Sequence, residues 1–84
     1  MAAPDAPVTL TPAEIEQINS RLSEVRHNIN NHLSLIIAAI ELIKRKPDSA
    51  ERMTATIAQQ PDKIIAEMRG FSADFEKTLQ ISHD

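Results

Sequence analysis

The stretch IEQINSRLSEVRHNINNHLSLIIAAIELI, residues 15–43, decides the architecture. Its apolar positions run Ile15, Ile18, Leu22, Val25, Ile29, Ile36, Ala39 and Ile43, with His32 filling one place in the series. The steps alternate three and four, which is a heptad seam with Ile15 at a and Ile18 at d. No proline or glycine interrupts the run before Pro47. One helix of about 34 residues, roughly 50 Å long at 1.5 Å per residue, is the natural reading.

Upstream, Thr11 is a good N-cap, Pro12 sits at the first helical position, and Glu14 completes a capping box. Leu10 and Ile15 flank that box at the spacing of a hydrophobic staple. Residues 1–10, with Pro4 and Pro7 and no apolar period, read as a flexible tail. Downstream, Lys44, Arg45 and Lys46 suit the negative end of the helix dipole, so the first helix covers about residues 12–46. Pro47 and Asp48 make a turn, and Asp48 with Glu51 offers a second capping box. A second helix follows over about residues 49–81, with Met53, Ile57, Ile64, Ile65, Met68, Phe71, Phe75 and Leu79 as its apolar set. Pro61 removes one backbone donor inside it and predicts a kink or a break with a restart. The kink is favoured, because the apolar face resumes without a loop. Gly70 is a mild weak point, and the last three residues are expected to fray.

Residues 11–82 therefore form a helical hairpin, yet the sequence asks for more burial than one hairpin supplies. Between Leu33 and Ile43 the a, d, e and g positions are all apolar, and Ile37 adds a b position. A stripe this wide packs against two or more helices. The expected fold is all-α: an antiparallel helical hairpin that homodimerises through a two-fold axis into a four-helix bundle.

Composition narrows the function. Phe71 and Phe75 are the only aromatics, and the absence of cysteine excludes a disulfide framework and a thiolate nucleophile. The net charge of −3 is spread along the chain, which speaks against nucleic acid as a partner. The N-terminus has neither the basic start nor the apolar core of a signal peptide. The longest apolar run, Leu33 to Ile43, is far short of the roughly 20 residues that cross a bilayer. A cytoplasmic protein without direct membrane insertion is expected. No metal site is expected either, since His27 and His32 lie about 140° apart around the helix, outside chelating spacing.

One stripe of the first helix escapes the seam: the f positions Ala13, Ser20, His27, Ser34 and Glu41. His27 thus faces solvent half-way along a rigid helix. Imidazole is a competent nucleophile near neutral pH. An isolated histidine in such a place is most often a solvated surface group, so its neighbours carry the argument.

The stretch Arg26-His27-Asn28-Ile29-Asn30-Asn31-His32-Leu33 resembles the H-box of the histidine kinase dimerisation and histidine phosphotransfer domains of two-component signalling. The order of elements is similar too: a long helix with the motif before a very apolar half, a short turn, and an antiparallel second helix. The resemblance spans roughly Ala13 to Leu79. It implies that His27 accepts a phosphoryl group and passes it to an Asp on the receiver domain of a response regulator. It implies docking of that receiver near Ser34 and Glu41. Asn31, one turn beyond His27, would orient water for dephosphorylating the regulator; the alternative is a solvated polar side chain, and the two readings weigh equally. Two departures stand out. Asn28 occupies the place where the family usually has Glu or Asp to hydrogen-bond the imidazole, and its amide brings no negative charge. His32 replaces a common proline and, at a d position, reads as a seam histidine with a satisfied hydrogen bond.

The chain has no glycine-rich ATP lid, so ATP and Mg²⁺ would be bound by a separate kinase catalytic domain, with no cofactor in this chain. It is either a piece of a kinase or a stand-alone relay. A second reading stays open: a non-catalytic helical dimerisation or adaptor module with a degenerate H-box.

Overall fold

Thr11 starts the first helix, and its cap is complete. The Thr11 hydroxyl accepts from Glu14 N–H at 3.1 Å, and Thr11 N–H donates to the Glu14 carboxylate at 2.9 Å. Such a cap contributes about 1 kcal/mol. From it runs α1 (Pro12–Arg45), which ends where Lys46 N–H reaches back to the Leu42 carbonyl. A single 3₁₀ turn, Pro47–Ser49, leads into α2 (Ala50–Leu79). This computed structural model describes residues 6–79. The expectations for residues 1–5, and for a second helix ending near residue 81, lie outside the described residues.

The connection differs from the sequence reading. The Asp48–Glu51 capping box does not form: both side chains are exposed and neither makes a hydrogen bond. Ser49 closes the turn instead, with its N–H and its hydroxyl both donating to the Lys46 carbonyl at 2.9 and 2.7 Å. It is buried while doing so. α2 then passes through Pro61 as one helix rather than breaking. Pro61 is exposed, so its ring meets solvent, and only one backbone donor is lost from the ladder.

The two helices lie antiparallel as an all-helical hairpin, and every described residue outside them and the turn is irregular. The Cα atoms extend 58 × 27 × 12 Å, so the molecule is one helix thick. A single layer cannot enclose a core. Accordingly, among the described residues only Val25, 4 % exposed, and Ala39, 3 %, are buried apolar residues. Both are d positions of the α1 heptad. Several a and e positions stay open: Ile15, Leu22, Leu33 and Ile40 are all exposed.

The most buried large side chain is polar. Gln60, 2 % exposed, faces α1 one residue before Pro61. Its Nε2 donates to the Thr56 carbonyl at 2.9 Å, which fixes the amide orientation and leaves Oε1 to accept. His32 Nδ1 donates to that oxygen at 2.8 Å. His32 is therefore a seam histidine with its proton on Nδ1, paired across the hairpin. Gln60→Ala is expected to lower unfolding free energy by about 1–3 kcal/mol, because it strands the imidazole N–H in the seam. The pair replacement His32→Leu/Gln60→Leu removes both polar partners and is expected to cost less than the sum of the single leucine changes. Urea unfolding of the four proteins reads the cycle, and additive single effects would show that the pair is not coupled.

Candidate functional site: the His27 face

At about 100° per residue, positions around α1 can be placed relative to His27. The residues that meet α2 (Arg21, Val25, Asn28, His32 and Ala39) centre about 130° from His27 in one direction. The uncovered Ile15, Leu22, Leu33 and Ile40 centre about 130° from it in the other. The layer thus has two unlike flat sides. One is apolar and continues onto α2, where Ile65 and Met68 are exposed. There Leu22, Ile29, Met68 and Phe71 line a groove of about 340 Å³ between the helices. The other side carries His27.

His27 is exposed, as are Asn31, Ser34 and Glu41 on the same side of α1. Asn31 Nδ2 lies 3.3 Å from His27 Nε2. An amide nitrogen only donates, so in this pairing Nε2 is the acceptor and the neutral ring carries its proton on Nδ1. The in-plane lone pair of the imidazole is thereby on Nε2, where the Asn31 N–H occupies it. Glu41 is held by Lys44 at 3.5 Å, an exposed pair worth little in stability. Ser34 lies between the two on the same stripe. Leu35, also exposed, adds an apolar side chain beside it on the way to α2.

Asn28 does not pair with the imidazole. It sits half-buried on the shoulder between His27 and α2, and its Nδ2 donates to Glu67 Oε1 at 3.2 Å. Sequence reasoning missed Glu67, because nothing in a single sequence ties an α2 carboxylate to an α1 amide. One heptad towards the N-terminus a second rung crosses the hairpin. Arg21 Nε donates to Asp74 at 3.1 Å, while its Nη1 reaches Glu24 at 3.2 Å. The guanidinium lies over Gly70, where a Cβ would stand 3.2 Å from Arg21 Nη2. Glu14, Ser20, Lys77 and Thr78, over a floor of Phe71 and Phe75, complete a polar cleft of about 670 Å³ around this rung, on the His27 side.

Among the described residues no three His, Cys, Asp or Glu side chains are grouped to hold a metal ion. No described helix is long and apolar enough to cross a membrane.

The Asn28–Glu67 bond changes what restoring the family's usual acid would do. Asn28→Asp would set two carboxylates against each other where an amide now donates, and like charges at that distance destabilise. The variant is expected to melt below the wild type at neutral pH. An unchanged melting temperature at neutral pH would show that the bond carries no weight. Compared with protein families, with curated proteins and with solved structures, the chain matches none.

Proposed function

We propose that this chain is a histidine phosphotransfer and dimerisation module of two-component signalling, taking a phosphoryl group on His27 and passing it to an Asp of a response-regulator receiver domain. The observation that carries the reading is the presentation of His27. The ring is exposed on a rigid helix, its Nε2 accepts only from the exposed Asn31 amide one turn on, and it makes no bond to α2. Nucleophilic transfer needs the Asn31 amide to swing aside, which frees the Nε2 lone pair where a partner's phosphorus can approach in line. The seam histidine, His32, supplies the contrast: its ring is committed to Gln60. The phosphoryl donor is a separate kinase catalytic domain, which binds ATP and Mg²⁺, or a phosphorylated regulator. The receiver docks over Ser34, Glu41 and the neighbouring part of α2.

Dimerisation belongs to the same proposal. The two directions in which α1 needs cover, one met by α2 and one open, are about 100° apart, close to the right angle between neighbours in a four-helix bundle. The chain exposes 6418 Å². A compact monomer of this mass exposes about 5,000 Å². The excess is larger than the roughly 800 Å² each partner buries in a standard stable interface. A second copy laid on the apolar side covers Leu22, Leu33, Ile40 and Met68 and leaves His27 outside.

The runner-up is a non-catalytic adaptor built on the same hairpin, favoured by Asn28 in place of the usual acid. The two diverge at His27. Incubation with an active kinase catalytic domain and ATP, or with phosphorylated receivers, is expected to leave an acid-labile, base-stable label that His27→Gln abolishes. No label in either arm, with the oligomer intact, would favour the adaptor. Sedimentation is expected to give a dimer at micromolar concentration and a monomer for Leu33→Glu/Ile40→Glu. A stable wild-type monomer would overturn the four-helix arrangement.

A further inference from the structure

Two-fold symmetry lets a second copy lie on the apolar side of the hairpin in two ways. With the axis along the helices, turn lies beside turn and α1 lies over α2 of the second copy. With the axis across the helices, the turn of each copy lies over the open end of the other, and α1 lies over α1. The exposed side chains distinguish the two. The Asn28–Glu67 and Arg21–Asp74 bonds fix which residues of α1 and α2 are level with each other. By that level Leu33, Ile37 and Ile40, all exposed on α1, stand at the heights of Asp62, Ala58 and Ala55. An axis along the helices keeps those heights, so it would lay the widest part of the apolar stripe on small and charged residues. It would also set Arg26 level with Arg69 of the second copy. Both are exposed beside the apolar grooves, and neither makes an ion pair among the described residues.

Charge divides the hairpin along its length in the same sense. The open end carries Glu14, Glu16, Glu24, Asp74 and Glu76 against Arg21 and Lys77, an acidic excess. The turn end carries Lys44, Arg45, Lys46 and Arg52 against Glu41, Asp48 and Glu51, a basic excess. Stacking like ends doubles the acidic excess at one end, whereas crossing them sets base over acid at both. Apolar burial is available in either stacking and holds the second copy; fit and charge choose its direction. Resting on the second copy proposed above, we infer that the dimer is crossed, with its two-fold axis running across the helices near residue 31 of α1. Leu22 then meets Ile40 and Ile29 meets Leu33, each pair occurring twice as an isologous interface requires. Glu16 comes level with Lys46 of the second copy. Arg69 leaves Arg26 and lies within about one turn of Asp62 of the second copy. Glu51 and Arg52 both face the turn of α2 that holds Glu76, so that contact favours neither direction.

The chain has no cysteine, so a single introduced thiol can carry a spin label. Labelled Asp48→Cys, in the exposed turn, is expected to give an intermolecular distance of about 50 Å, twice its height above the axis at 1.5 Å per residue. Mixed with labelled Ala13→Cys, it is expected to give a distance below about 30 Å. An Asp48–Asp48 distance below about 30 Å would put turn beside turn and overturn the inference while leaving the dimer standing. Charge exchange supplies a second readout. Glu16→Lys and Lys46→Glu are each expected to raise the dimer dissociation constant about threefold, and the double variant to restore it. Both side chains are exposed and outside the seam, so the fold is not at stake. The two positions lie about 45 Å apart on one chain and couple only through a crossed second copy. Additive effects, or a Glu16→Lys dimer tighter than the wild type, overturn the inference. Absence of any dimer in sedimentation instead sinks the second-copy reading and this inference with it, and leaves phosphotransfer at His27 to its own test.

Discussion

The hydrogen bond from His32 to Gln60 is the contact on which the hairpin's register depends. The apolar residues of the seam pack almost as well after a slip of one heptad, since each helix repeats its own apolar face. The polar pair does not. A slip of seven residues along α2 would place Met53 opposite His32 in the position of Gln60, leaving an imidazole N–H with no acceptor in a half-buried seam. That loss is about 1–3 kcal/mol, a large part of the stability available to a layer this thin. Asn28–Glu67 and Arg21–Asp74, one heptad from each other on both helices, then follow along the same edge. The apolar residues supply attraction and the polar ones choose the alignment, as buried polar residues do in coiled coils.

Much of this could be read from the residues alone, and where it could, the signal was local or periodic. Thr11, Pro12 and Glu14 mark the start of α1 because a capping box is a matter of three-residue spacing. The absence of glycine and proline from residues 13–46 left one long helix as the only economical reading. His27 fell on the exposed stripe because a heptad fixes every position once two are known. The readings that failed or were missed concern groups brought together by the turn. Asp48 and Glu51 have the spacing of a capping box, yet the tight 3₁₀ turn lets Ser49 reach the Lys46 carbonyl first. Of the two outcomes open at Pro61, the break with a restart is not taken: its ring lies on the solvent side, and α2 continues through it. Glu67 and Gln60 are unremarkable in the sequence, and only pairing with α1 gives them partners.

The same thinness that limits the core separates two tasks. A one-layer hairpin has two broad sides, and this sequence makes them unlike. The apolar side offers isoleucine, leucine and methionine over the length of α1 and the middle of α2. The other side offers His27, Asn31, Ser34 and Glu41 on α1. Covering the first does not touch the second, because on α1 the apolar face lies about 100° from the α2-facing line and His27 about 130° from it on the other side. A variant that disrupts association through Leu33 or Ile40 therefore leaves the His27 face in place, which makes the two halves of the proposal separable.

Asn28 is the point where the second helix reaches the shoulder of the His27 face. At a g position it belongs to the seam as much as to that face, and its amide is turned to the seam. An aspartate in its place would have to choose between His27 and avoiding Glu67, and a carboxylate on each helix at this level cannot both be satisfied by the donors present. An amide avoids the conflict, because its Nδ2 donates to Glu67 Oε1 where a second carboxylate would be repelled. A chain with an acid at position 28 would be expected to lack a carboxylate at the facing position of its second helix.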